Sequence, residues 1–435
     1  MPGETITTAG ARIVLATWGS FGDLHPYLAV ALGLKARGHR LVLASAAVYR
    51  EKIEQAGLEF APIRPALPDP RNTAVFRDVA QRIMESRDGP RNLIRDLLIP
   101  SLRDMYEDLW QATEGADLLL SHSILYAAPL VAEKRGLRWL SVALQPIIFL
   151  SAYDPPVPPD APAIAWLRHY LPRPLLQTLI AAGKKRLRPW VAEVDAFREE
   201  LGLLPGGHPI FDGQWSPYGT LALFSRSLGL PQPDWPVNTV QTGFPFYDQL
   251  QAGQAGLADD LCAFLKAGEP PIVFTLGTSA VMTPGRFYEA SAEAAARIGR
   301  RAVLLVGPNP QNVPASLPPG VAAFDYAPYS ALFPHAAAIV HQGGVGTTGQ
   351  SLRAGRPQLV VPFAHDQPDN ADRVKRLGVA RSVPRDRYDT NTAARELQAL
   401  LEDPGHAARA AEVGRAVREE DGVANACAAI EAALG

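Results

Sequence analysis

Short apolar runs alternate with longer amphipathic stretches along nearly the whole chain, the rhythm of βα units that build parallel sheets. Arg12–Thr17 (RIVLAT) is almost continuously apolar and predicts a strand buried on both faces. Leu24–Arg37, closed by Gly38, predicts a helix, and Arg40–Ala44 the next strand. Asp117–Ser121 and Trp139–Ala143 predict two more strands with a helix, Ala127–Lys134, between them. The same grammar restarts late in the sequence, with strands at Pro271–Leu276, Ala302–Val306, Ala337–His341 and Gln358–Val361, each followed by a helical stretch. Two copies of one architecture are therefore expected: an α/β protein of two Rossmann-like, doubly wound parallel-sheet domains. The boundary falls where SLGLPQPDWPVNTVQTGFP offers prolines and glycines but no helical period. That predicts a first domain over 1–230, a linker over 231–256 and a second domain over 257–435, with the last helix a candidate to pack back on the first domain.

The length, 435 residues, suits two or three domains, and either number is ample for a sizeable core. Charge then narrows the partners. Lys and Arg number 42 against 44 Asp and Glu, a formal net charge of -2, so there is no global basic field to hold a nucleic acid. Any anionic ligand must be bound locally. Cys262 and Cys427 lie far apart and fit no metal-ligand spacing, which points away from a disulfide framework or a metal site and suits a reducing cytoplasm. The start, MPGETITTAG, lacks the pattern of a secretory leader, and the longest charge-free apolar stretch, Trp139–Tyr153, is too short to span a bilayer. A long helical region over 163–201 carries Lys184, Lys185, Arg186 and Arg188 beside Leu187, Trp190 and Val191. Such a charge run is ordinarily a solvated face; the alternative is peripheral contact with an anionic inner-membrane surface or an acidic acceptor. The sequence is rich in proline, 40 residues in all, clustered at 62–70, 155–162, 231–236 and 308–319.

The most informative segment is Tyr326–Lys375, YAPYSALFPHAAAIVHQGGVGTTGQSLRAGRPQLVVPFAHDQPDNADRVK. A strand ending at His341 runs into Gln342-Gly343-Gly344-Val345-Gly346-Thr347-Thr348 and then a helix, aiming backbone N–H groups and two hydroxyls at one place. That is an anion site, although glycines at a strand-to-helix turn also serve simple backbone clearance. No lysine follows them as in a Walker loop. The next strand ends at Pro362-Phe363-Ala364-His365-Asp366-Gln367, placing a carboxylate and an amide at the sheet edge where open α/β sheets bind ligands. Together they offer several heteroatoms for vicinal hydroxyls, which is what a sugar presents.

In order, the stretches H-x-G-G-x-G-T-T, S-L-R-A-G-x-P, P-F-x-x-D-Q and A-x-R-V make this segment resemble the donor-site motif of glycosyltransferase family 1, nucleotide-sugar-dependent enzymes of GT-B fold. The resemblance implies two Rossmann-like domains facing a central cleft. It implies that His341, Gly343, Gly344, Gly346, Thr347 and Thr348 meet the donor diphosphate, that Asp366 and Gln367 bind sugar hydroxyls, and that Tyr326 lies against the nucleobase. Gly277 and Thr278, after PIVFTL, match the small-residue turn that also approaches the phosphates. Where plant members carry Trp-Ala-Pro-Gln and a ribose-binding Glu, this sequence has Tyr326-Ala327-Pro328-Tyr329 and Gly349, a departure at the base and ribose contacts. The motifs DWP (234–236), TGFP (242–245), the segment 287–307 and GSFGDLHPYL are similar to the bacterial branch that includes the rhamnolipid-building rhamnosyltransferases and resembles sterol glucosyltransferases.

Inverting sugar transfer needs a base for the acceptor hydroxyl and a site that stabilises the departing nucleoside diphosphate; by that logic no metal or cofactor is required. The loop Trp18–Pro26 holds Asp23 at the crevice edge of the first strand. By position alone Asp23 is a helix cap or a base; the family pattern implies the base. His25 faces away from it if the segment is helical, and His122 follows the strand Asp117–Ser121 and forms a candidate dyad with Asp23. Phe21, His25, Tyr126, Ile148 and Tyr153 are the candidate acceptor contacts, for an apolar hydroxylated molecule such as a hydroxy-fatty acid, a sterol or hopanoid, or a polyketide. Two rival readings are a nucleotide-sugar epimerase of the same fold and a non-catalytic relative that activates a partner enzyme.

Overall fold

Each of these apolar runs becomes a strand with both faces covered. The structure, a computed structural model, describes residues 10–68, 73–85, 88–159, 164–168, 170–248 and 256–435. Its first sheet is formed by β1 (Arg12–Ala16), β2 (Arg40–Ser45), β3 (Glu59–Pro62), β4 (Leu118–His122), β5 (Trp139–Ala143), β6 (Thr220–Ala222) and β7 (Thr239–Gln241). The second contains β8 (Ile272–Thr275), β9 (Ala302–Leu305), β10 (Val321–Phe324), β11 (Ala338–His341), β12 (Gln358–Val360) and β13 (Ala380–Ser382). All ladders are parallel, in the orders β3-β2-β1-β4-β5-β6-β7 and β10-β9-β8-β11-β12-β13. Ile13, Val14 and Leu15 are fully buried, as are Val273, Phe274 and Ile339, which is why neither sheet shows a two-residue alternation.

In each sheet the winding reverses once, between β1 and β4 and between β8 and β11. At such a reversal neighbouring loops leave the sheet in opposite directions and open a crevice at the carboxyl ends of the strands. The loops singled out by sequence, after β1, β4, β8 and β11, border these two crevices.

Two details differ from the sequence reading. The first helix spans Phe21–Ala36 and so starts three residues before Leu24, because Ser20 caps it through its side chain. Asp23 therefore sits inside the first turn and is not the N-cap. The segment read as a linker also contains β7, which pairs with β6 and extends the first sheet. The helix Gly422–Leu434 lies on the helix Phe21–Ala36, with Ala426, Cys427 and Ile430 in the core of the first sheet. A side chain at Gly33 would come within 2.6 Å of Val423 and 2.8 Å of the Cys427 sulfur, so glycine permits this close approach. Arg37 adds an ion pair to Glu431 at 2.7 Å. Among the described residues no helix is long and apolar enough to cross a membrane.

Candidate functional site

The first crevice is organised by a capping box. Ser20 Oγ accepts the Gly22 N–H at 3.2 Å, while Asp23 Oδ2 accepts the Ser20 backbone N–H at 2.7 Å and its hydroxyl at 3.1 Å. The pattern S-x-x-D, in which a carboxylate replaces the more usual Glu or Gln, fixes one Asp23 oxygen by local geometry. The other oxygen, Oδ1, lies 4.0 Å from Nε2 of His122 at the end of β4. Gly19 has φ of +134°, and a Cβ there would fall 2.3 Å from Asp23 Oδ2, so only glycine leaves the carboxylate room. His122 is buried, and that burial lowers its pKa, although Asp23 and a backbone contact to Trp18 pull the other way. Its Nδ1 lies 3.4 Å from Thr17 Oγ1. At 4.0 Å the two side chains are neighbours without a direct hydrogen bond, and the lowered pKa favours an uncharged imidazole beside the carboxylate.

His25 is turned aside. Its ring stacks on Phe21 at 5.2 Å and packs on Tyr247 at 5.1 Å. Burial and then the Lys52 charge push its pKa down to about 3, so it is uncharged.

The second crevice is lined by backbone. Gly343 has φ of +91°, and its N–H donates to His341 Nδ1 at 3.0 Å. His341 is fully buried, its pKa lowered to about 4 by burial, and Nε2 lies 2.9 Å from Gln358 Oε1. Because Nδ1 accepts, Nε2 carries the proton and donates to Gln358. Both ring nitrogens are thus engaged within the protein, and His341 props the glycine turn from behind. Contact with a diphosphate, as the family motif implies for it, requires one of these bonds to be exchanged.

Gly344 caps the helix Val345–Ala354, whose first turn carries Gly346, Thr347 and Thr348. Gly277, after β8, has φ of +65°, and a Cβ there would stand 2.4 Å from Gln342 Nε2. The turn after β8 therefore meets the turn after β11, while Thr278 beside it is exposed. Gln342 Oε1, Thr348 Oγ1 and Ser351 Oγ are buried without a hydrogen-bond partner. Each such atom costs about 1 to 3 kcal/mol; of the three, the Thr348 hydroxyl, in the first turn of the helix, can donate to an anion held at its N-terminus, whereas Gln342 Oε1 can only accept. Tyr329 joins this wall, its hydroxyl 2.8 Å from Thr275 Oγ1. Tyr326, in the loop after β10, is 60% exposed.

Asp366 and Gln367 open the helix Gln367–Arg376. Gln367 Oε1 accepts the N–H groups of Phe363 at 2.8 Å and Ala364 at 3.1 Å, which leaves the amide nitrogen as the donor end. Asn370 ties the halves together: its Nδ2 donates to Gly343 O at 2.9 Å and to Asp366 Oδ2 at 2.6 Å. The two crevices meet. A Cβ on Gly346 would come within 3.8 Å of Gly22 Cα, and the charge on Asp23 is felt at Asp366. Burial first, and Asp23 second, raise the Asp366 pKa to about 7.

Between its ordinary value of 3.8 and about 7 the folded protein keeps a proton on Asp366 that the unfolded chain has released. The associated stability is complete below pH 3.8 and is lost as pH rises through 7. The melting temperature of the wild-type protein minus that of Asp366→Asn is expected to fall from pH 4 to pH 8; a flat difference would contradict it.

The acceptor candidates are dispersed. Phe21 and His25 form one cluster with Tyr49 and Tyr247. Tyr126 lines a cavity of about 630 Å³ that also touches His122, Ser123, Trp139 and Trp215. Ile148 lines an adjoining cavity of about 230 Å³ that shares Asp212 and Trp215 with the first, and Tyr153 lies under the Arg173 guanidinium at 3.9 Å. Lys184 and Arg188 of the basic run are engaged in ion pairs with Asp212 and Asp195 at 2.7 and 2.8 Å. Sequence reasoning missed Ser20, Gln342 and Asn370. Ser20 is legible from its spacing to Asp23, and Asn370 from its position four residues after Asp366 on a helix. Nothing in the sequence marks Gln342, whose role depends on the turn after β8.

Known proteins share the fold and much of the sequence. Residues 13–98 match the glycosyltransferase family 28 N-terminal domain, and residues 291–428 match the erythromycin biosynthesis protein CIII-like C-terminal domain. The sequence is 36% identical to the O-mycaminosyltylonolide 6-deoxyallosyltransferase of Streptomyces fradiae, over 97% of each protein. It is 28% identical to a sterol 3-beta-glucosyltransferase of Arabidopsis thaliana, over 95% of this protein and 64% of that one. Among solved structures, the glycotransferase of kitacinnamycin superposes with a TM-score of 0.71 at 24% identity, covering 98% of this protein and 100% of the other. VinC in complex with dTDP superposes with a TM-score of 0.66 at 21% identity, covering 97% and 99%.

Proposed function

Because this protein belongs to the family 1 glycosyltransferases of GT-B fold, we propose that it moves a hexosyl group, of glucose or rhamnose type, from a UDP- or dTDP-sugar to a hydroxyl of a hydrophobic acceptor, with inversion. One observation carries this reading: Asp23, in the first crevice, is close enough to Asp366 in the second for its charge to act there, and Gly22 beside it approaches Gly346 at the start of the helix Val345–Ala354. A base and an anion site on opposite sides of one cleft are what a single displacement needs. Asp23 takes the acceptor hydroxyl proton as that oxygen attacks the anomeric carbon. The bond from that carbon to the phosphate oxygen breaks, and the nucleoside diphosphate leaves with the electron pair. The amides of Gly344 and Gly346, with Thr347 and Thr348, hold the diphosphate, and the dipole of the helix Val345–Ala354 favours its charge. Asp366 and the amide of Gln367 hold sugar hydroxyls, and Tyr326 stacks on the base.

The relatives support the acceptor class, since one is named for transfer to a glycosylated tylonolide and another for transfer to sterols. His122 serves as the orienting partner of Asp23. In His122→Ala the kcat is expected to fall about tenfold, with the KM for donor unchanged; an inert substitution removes the dyad. The function itself is tested by incubating the enzyme with UDP- and dTDP-sugars and a panel of macrolide aglycones, sterols and hydroxy-fatty acids. Acceptor-dependent release of nucleoside diphosphate, with a product heavier by one hexosyl unit, is the expected result. Failure of UDP and dTDP even to raise the melting temperature would overturn the reading, because a ligand at about 100 times its Kd stabilises by about 2.7 kcal/mol.

A further inference from the structure

The helix that presents Asp366 and Gln367 is tied to the first domain by charges that the reaction does not use. Asp369 is fully buried; its Oδ1 accepts the Val157 backbone N–H at 3.0 Å, and its Oδ2 accepts Arg373 Nε at 2.7 Å. Arg373, 3% exposed, donates through Nη1 to the Asp154 carboxylate, and Arg376 meets the other oxygen of Asp154 at 3.1 Å. Arg168 closes the outer side, bonding the Pro155 carbonyl at 3.1 Å and Asp372 at 2.6 Å. The loop Ser151–Val157 is thus gripped from the second domain by side chain and backbone together. Its other end is held by Asp234, which accepts the Ser151 hydroxyl at 2.6 Å and the Ala152 N–H at 2.7 Å.

Three carboxylates meeting three guanidinium groups at this junction make a costly way to hold two surfaces together. Buried ion pairs lose much of their attraction to desolvation, and an apolar contact of equal volume is often as stable. What charge-assisted, forked hydrogen bonds add is direction and register. The register at stake is that of the loop against the start of the sugar-side helix, three residues before Asp369.

We propose that Asp154, Arg373 and Asp369 form a positioning latch, fixing the loop Ser151–Val157 in register with the helix that carries Asp366 and Gln367, so that acceptor and donor sugar are aligned only when it is closed. The inference rests on the sugar-transfer reading above. None of the three is a catalytic residue; they act through the position of Asp366, Gln367 and the acceptor-side loop.

Asp154→Asn is the informative variant, because it preserves shape and leaves the Asp369–Arg373 pair intact. With the best donor and acceptor of the wild-type panel, kcat is expected to fall about tenfold or more, as small misplacements at a reacting centre do. The Kd for UDP or dTDP, measured by calorimetry, is expected to change less than about twofold, since the diphosphate is held by the turn after β11. Small-angle scattering with nucleotide bound should show a larger radius of gyration for the variant. Arg373→Lys, which keeps the charge but not the fork, should fall between wild type and Asp154→Asn; Arg373→Met is a poor probe, because it strands the Asp369 charge and threatens the fold. Wild-type kcat and wild-type scattering in Asp154→Asn would overturn the latch. So would a lower melting temperature with kcat unchanged at a temperature where the variant is folded, the mark of a purely structural contact. If no nucleotide binds the wild type, the transferase reading fails instead, and the scattering of the ligand-free variant still reads the latch.

Discussion

Replacing Asp23 by Asn is expected to lower kcat by roughly 10² to 10⁴ while leaving the affinity for UDP or dTDP within about twofold. The amide keeps the size and much of the hydrogen bonding of the side chain: Asn at the third helical position still accepts the Ser20 N–H that Asp23 now accepts at 2.7 Å. The helix start is therefore preserved, and what is lost is the ability to take a proton. The phosphate side is untouched, because it is built from the turns after β8 and β11 in the other sheet. Initial rates at saturating donor, together with calorimetry on the nucleotide alone, separate the two effects. Near-normal turnover in the variant would remove Asp23 as the base and leave it as a capping residue.

Gly343→Val is expected to weaken nucleotide binding by about 10²-fold or more. The residue has φ of +91°, where a β-branched side chain is strained by about 1 to 3 kcal/mol. Even a Cβ would lie 2.9 Å from the Val360 side chain and 3.0 Å from the Gln367 carbonyl oxygen. Relief of that contact moves the turn away from Gln367, and it also disturbs the N–H bond to His341 at 3.0 Å and the Asn370 bond to its own carbonyl at 2.9 Å. Diphosphate amides and sugar-binding side chains are displaced together. The melting-temperature increment produced by UDP or dTDP should disappear from Gly343→Val; an increment equal to that of wild type would show that the turn does not hold the diphosphate.

Much of this architecture is legible in the amino-acid sequence. Strands such as Arg12–Ala16 and Trp139–Ala143 are buried on both faces and so announce themselves as continuous apolar runs. The pieces that escape are those with weak local signals. β3, β6, β7, β10 and β13 are three or four residues each and carry no uninterrupted run of large apolar residues, so pairing with neighbouring strands defines them. The first helix begins three residues earlier than its apolar period indicates, because Ser20 and Asp23 cap it reciprocally and its first turn is polar on the capping side. The donor motif is legible because one turn, one strand end and one helix supply it contiguously. The acceptor side is not, because Phe21 with His25, Tyr126, Ile148 and Tyr153 come from separate segments, and tertiary packing places them apart. The same holds for the Asp154–Arg373 contact, which joins residues 219 positions apart. The proline cluster at 155–162 acquires a place in part: Pro155 and Pro156 are buried in the segment gripped by Arg168 and Asp369, and 160–163 lie outside the described residues.

One base and one leaving-group site facing each other across a single cleft make a single displacement, and the configuration of the product tests that most directly. With UDP-α-glucose, or whichever donor of known anomeric configuration the panel accepts, the coupling constant of the anomeric proton in the purified product reports the outcome. A displacement driven by Asp23 predicts the inverted linkage, β from an α-linked donor, and its formation should be lost in Asp23→Asn. A product of retained configuration would contradict a single displacement at this site.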